Sequence, residues 1–282
     1  MKTLTEPFTR TIADDPTDRG RQLVYADFLD DIQEFEAARI WRDQLPERHG
    51  RSRKRIGKLT EAEKKKFPHW VEKWIQVGLC TDPANRLLFE AGAAACYRFA
   101  GLACPRFVWC ANPLVTVFAG SQFDNAVRGA VGGAVSGAVR NTVHGAVGGA
   151  VGGAVDGAVG DAVGDAVRGA VGGAVDGAVG GAVHGAVGDL WWRYLGGQFW
   201  VGGWYWTGSP SVTTYFLDAL RLRLSDDIEL RARAYAATAR SACWWWPHRD
   251  VVFVSERPRV LRTDPLYVEW EGFSVGAKEG GK

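Results

Sequence analysis

The stretch "CWWWPHRD", Cys243 to Asp250, sets a thiol, an imidazole and a carboxylate close together in the chain. A cysteine nucleophile needs a base to take its proton and a third group to orient that base. Cys243, His248 and Asp250 are the residue types for those three roles, as in a thiol hydrolase or transferase. Pro247 and three tryptophans intervene, and nearness in sequence does not build the geometry. Pairing of His248 with a carboxylate, or a helix cap, accounts for it equally well. The tryptophans are a second kind of candidate, because eight of the thirteen fall between Trp191 and Trp246. Trp200, Trp204, Trp206, Trp244, Trp245 and Trp246 fit a ligand groove, since tryptophan is enriched in binding surfaces. They fit an aromatic cap at the end of a repeat core equally well, each ring burying about 150–250 Å².

The remaining chemistry is sparse. The five cysteines, Cys80, Cys96, Cys104, Cys110 and Cys243, include no CxxC pair. Cys104 and Cys110 are spaced unusually for zinc, so they read as buried thiols, with no metal site and no cofactor implied. An odd thiol count and an N-terminus, "MKTLTEPFTRTIADDP", without a signal-like apolar core point to a reducing cytoplasm. No run of about 20 apolar residues exists, so no membrane contact is expected. The net charge of +2 excludes an acidic mimic and a wholly basic nucleic-acid binder. One local exception is "PERHGRSRKRIGKLTEAEKKKFP", residues 46–68. Arg51 to Lys58 would hold polyanions weakly and without sequence preference, but no aromatic residue lies between Arg48 and Lys66 to stack on bases. A solvated linker entering a helix is the plainer reading.

The elements that would position these residues divide the chain into six segments, and the fold class is α+β. Residues 1–45 read as short helices. Thr5 caps the first, with Pro7 in its opening turn; the second starts near Asp18 and carries Leu23, Val24, Phe28 and Ile32 at helical spacing; the third carries Phe35, Ala38, Trp41 and Leu45 and ends at Pro46. After the basic linker, 46–68, residues 69–125 are helical with one strand. "PANRLLFEAGAAACYRFAGL" is a helix with a small-residue face that invites close approach, and "PRFVWCANP" is a strand between prolines. Residues 190–275 are tryptophan-rich and mixed: "SVTTYFLDAL", capped by Ser209 or Ser211, and "DDIELRARAYAATARSA" are helices, and Val251 to Val254 is a buried strand. Residues 276–282 are a flexible tail.

Between them, from Ala126 to Asp189, a four-residue word repeats without a slip. Valine always fills its second position, and the fourth holds only glycine, asparagine or aspartate, as at Asn141, Asp161 and Asp165. A single helix would carry each valine about 40° further round the axis, leaving no apolar face. Glycine, asparagine and aspartate are the residues that most readily take left-handed angles, so the chain is expected to turn once per word. A β-solenoid with inward valines follows; packed helices rich in glycine, alanine and valine are the alternative.

Two family resemblances attach to these motifs. "IADDPTDRGRQLVYADFLDD" followed by "EAARIWRDQL" resembles the repeat-companion domain of planctomycete bacteria, most specifically in Leu23, Val24, Tyr25, Ala26, Asp27 and Leu29, with Phe28 in place of the usual tryptophan. "AACYRFAGLACPRFVWCANP", the valine words, "LGGQFW" and "CWWWPHRDVVFVSERPRVLRTD" together resemble an uncharacterised bacterial family with Ala-Val-x-x repeats, a Gly-Gly-Gln-x-Trp motif and a Trp-Trp-Trp-Pro block. The resemblances imply a module and a composite domain, and no reaction. Phosphate loops, metal spacings and paired acids are missing from the sequence. The expected function is a non-enzymatic scaffold or interaction module with a protein partner; the alternative is a cysteine-dependent hydrolase or transferase using Cys243 and His248.

Overall fold

A computed structural model describes residues 2–47, 59–116, 118–120, 208–242, 244–263 and 266–276. The tetrapeptide words of Ala126 to Asp189, and with them the expected solenoid, lie outside the described residues, as do Arg51 to Lys58. What is described is a mixed α+β structure with two small sheets.

The N-terminal helices are α1 (Lys2–Asp14), α2 (Arg19–Asp31) and α3 (Phe35–Trp41). Asp18 starts α2 by accepting from the backbone N–H of Gly20 at 2.8 Å and of Arg21 at 3.2 Å. The other two boundaries differ from expectation. α1 begins at Lys2, so Pro7 lies inside it and Thr5 does not cap it. α3 ends at Trp41, because Asp43 takes a left-handed backbone, φ 56°, well before Pro46. The inward face of α2 is also rotated from the one expected. Tyr25, Ala26 and Leu29 are buried, whereas Leu23 is 38% and Val24 57% exposed. Aromatic packing sets that rotation: the Tyr25 ring stacks on Phe8 at 5.5 Å and meets the edge of Trp41 at 5.7 Å.

α4 (Glu61–Gly78) starts inside the basic stretch. Its capping box is reciprocal: Thr60 accepts from the Glu63 N–H, and the Glu63 carboxylate accepts from the Thr60 N–H at 2.8 Å. α4 rests on α6 (Gly208–Thr214) and on the π-helical segment that follows it, Tyr215–Ala219. Trp70 Nε1 donates to the Ser211 carbonyl at 2.9 Å, Trp74 Nε1 to Thr214 Oγ1 at 3.1 Å, and the Tyr215 hydroxyl to the Glu63 carbonyl at 2.8 Å. Because α6 begins at Gly208, Ser209 and Ser211 lie within it and do not cap it.

α5 (Arg86–Phe99), capped by Asn85, crosses α7 (Asp226–Ser241) at its small-residue face. A Cβ on Gly92 would stand 2.6 Å from Thr238 Oγ1 and 2.7 Å from the Ala234 carbonyl oxygen, so only glycine fits there. Three acids, Asp226, Asp227 and Glu229, lie in the first turn of α7, where they suit the helix dipole. The first sheet has the order β1-β3-β2, from β1 (Arg106–Cys110), β2 (Trp245–Pro247) and β3 (Val251–Ser255). Its centre, β3, is buried along its whole length, parallel to β1 and antiparallel to β2. β4 (Val260–Thr263), β5 (Leu266–Trp270) and β6 (Phe273–Gly276) form an antiparallel sheet with its own small core around Val268 and Trp270. The main core is continuous from Ile12 to Val254 and is shared by the N-terminal helices, α4, α5, α7 and the first sheet.

Candidate ligand cavity

Of the three residues expected to make a thiol centre, Cys243 lies outside the described residues. His248 and Asp250 occupy the turn between β2 and β3. The His248 N–H donates to the Val251 carbonyl at 2.8 Å, and its own carbonyl accepts from the Tyr97 hydroxyl at 2.5 Å. The imidazole meets the Phe253 ring edge-on at 5.5 Å. The Asp250 carbonyl accepts from the Arg106 N–H at 3.0 Å while its side chain is exposed. Both residues therefore hold the turn and the register of the first sheet. Trp244, Trp245 and Trp246 are buried, and the Trp245 ring packs into the main core 5.8 Å from Phe89. Trp200, Trp204 and Trp206 lie outside the described residues. Burial pushes the thiols of Cys96 and Cys104 up to about 12 and that of Cys110 up as well, so all three stay protonated and poorly nucleophilic at neutral pH. Among the described residues, no three His, Cys, Asp or Glu side chains are placed to hold a metal ion.

The structure gathers a different set of groups. A cavity of about 950 Å³ opens between α1 and the start of α5 and β1, with walls completed by Tyr25, Glu34 and Trp41. Glu90 lies in its wall, on α5, in the otherwise apolar run "LLFEAGAAA". Trp109 Nε1, on β1, donates to the Glu90 carboxylate at 2.9 Å. Arg86, whose charge acts on that carboxyl, lies 4.9 Å over the Trp109 ring and is engaged by Glu256 through a 2.7 Å hydrogen bond from its Nε and a second from Nη2. Burial pushes the Glu90 carboxyl up to about 7, against the opposing pull of the Trp109 hydrogen bond and the Arg86 charge. It therefore holds or releases a proton near neutrality.

Tyr25 and Trp41 are both almost fully buried in the same wall, and neither the Tyr25 hydroxyl nor Trp41 Nε1 has a hydrogen-bond partner among the described residues. Burial raises the Tyr25 phenol, and the carboxylates of Glu90 and Glu34 raise it further, which places both within electrostatic reach of one hydroxyl. Sequence reasoning passed over Glu90. A lone acid in a helix run of leucine, alanine and glycine was the available signal, because the residues on both sides of it are buried. A second cavity, of about 430 Å³, lies between α3, α4, α7 and the π-helical segment. Two of its arginines are already committed: Arg233 pairs with Asp218 at 2.5 Å, and Arg240 pairs with Glu36.

Comparison with protein-family models, with curated proteins and with solved structures yields no match for this chain.

Proposed function

We propose that the protein is a non-enzymatic binding module whose ligand site is the cavity around Glu90. The observation that carries this reading is the cavity itself. It is large enough for a small organic molecule, mostly apolar, and supplied with a proton-holding carboxylate. Buried thiols that stay protonated favour binding over nucleophilic chemistry at Cys96 and Cys104. A scaffold that also engages a protein partner is compatible with this site. The repeat-companion resemblance of the N-terminal helices fits such a role, since α1, α2 and α3 supply one side of the cavity.

Saturation-transfer NMR with a fragment set of cations, anions and neutral molecules tests the reading. Fragments should bind the full chain, and Thr9→Trp, which places an indole in the cavity from α1, should abolish that binding while the fold persists. An absence of bound fragments, or equal binding by Thr9→Trp, would contradict it.

A further inference from the structure

The charges around the cavity are arranged unevenly. Three carboxylates line it: Glu90 on α5, Glu34 at the start of α3 and the exposed Glu6 on α1. The Glu34 side chain makes no capping bond and has no hydrogen-bond or ion-pair partner among the described residues. The cations are either committed or peripheral. Arg86 is tied to Glu256 and stacked on Trp109, while Arg10 and Arg106 are exposed at the rim, beside exposed Glu6. An ionised Glu90 thus lacks a close, uncommitted counter-charge in a wall of aromatic rings. The buried Tyr25 hydroxyl lies within electrostatic reach of both Glu90 and Glu34 and has no hydrogen-bond partner among the described residues.

Resting on the cavity being a binding site, we infer that its occupant is a small organic cation, an ammonium group on an apolar body, held by Glu90 and Glu34. An anion would meet these carboxylates. A neutral molecule would leave Glu90 either protonated or ionised with only the Trp109 hydrogen bond to hold its charge. A cation supplies the missing charge, and its apolar body fills the wall formed by Ile12, Leu87 and Phe107.

The assignment carries a pH dependence of fixed sign. Cation binding needs Glu90 ionised, so affinity rises as the pH passes through about 7. Of the other groups that face it, the Tyr25 phenol and the Cys104 thiol are raised by burial and stay protonated between pH 6 and 8. The other charged groups of the cavity are Glu34, Glu6, Arg86, Arg10 and Arg106.

Isothermal titration of the full chain with 2-phenylethylammonium, 2-phenylethanol and phenylacetate, three probes of nearly one shape, tests the inference. The ammonium should bind at pH 8 and about tenfold more weakly at pH 6, following the ionised fraction of Glu90. Glu90→Gln, which keeps an acceptor for Trp109, should weaken it tenfold or more and remove the pH dependence. Glu34→Gln, at a partly exposed position, should weaken it as well and serves if the first variant does not fold. Equal affinity for the alcohol or the acid would overturn the cation assignment and leave the cavity a binding site. Binding of none of the three would overturn both.

Discussion

A carboxylate set among aromatic rings resists ionisation, and at Glu90 that resistance has a consequence for the stability of the whole fold. Its folded value, about 7, lies above the ordinary 4.5, so the ionised form is the less stable one. The contribution of this group is complete below pH 4.5 and is lost as the pH rises through 7. At about 1.4 kcal/mol per pKa unit the loss is on the order of 3 kcal/mol, large against a typical domain stability. The melting temperature of the wild-type protein should therefore fall between pH 4.5 and pH 8 relative to Glu90→Gln. Matched thermal melts of the two proteins across that range measure the difference. Parallel curves would mean that Glu90 is solvated and the cavity wall is wrongly described.

At the scale of elements, the crossing of α5 on α7 fixes the position of Glu90. Gly92 lies two residues further along α5, against the α7 backbone, and brings the two helices together without an intervening side chain. A methyl group there meets the Ala234 carbonyl oxygen and the Thr238 backbone nitrogen at under 3 Å, and backbone cannot move aside cheaply. Gly92→Ala should cost about 1–3 kcal/mol in urea denaturation, even though alanine is the better helix former. A neutral or stabilising effect would show that the helices stand further apart. Other elements contribute to the cavity at long range: α3 is tied to α5 by Arg98, which pairs with Asp43 at 2.6 Å and donates to the Ile40 carbonyl at 3.2 Å.

At the scale of the whole molecule, the signals legible in the sequence were the local ones. Asp18 before α2, the acids of α7, the proline-bounded β1 and the apolar run of β3 each act within a few residues, and each was readable on that account. The small face of α5 was legible too, and its close partner proved to be α7. The rotation of α2, which leaves Val24 outside and Tyr25 inside, is decided by Phe8 and Trp41 and has no local signature. The candidate site was illegible for the same reason. Trp109 reaches Glu90 across 19 positions and Arg86 reaches Glu256 across 170, while the chemically suggestive "CWWWPHRD" places its described rings in the core and its histidine in a turn. The central claim is that a titrating Glu90 faces an open ligand cavity, and ¹³C NMR titration of the Glu90 side-chain carboxyl tests it most directly. The account predicts a midpoint near 7 in the free protein, shifted downward when 2-phenylethylammonium is present in excess. A midpoint near the ordinary 4.5 that does not respond to the probe would contradict it.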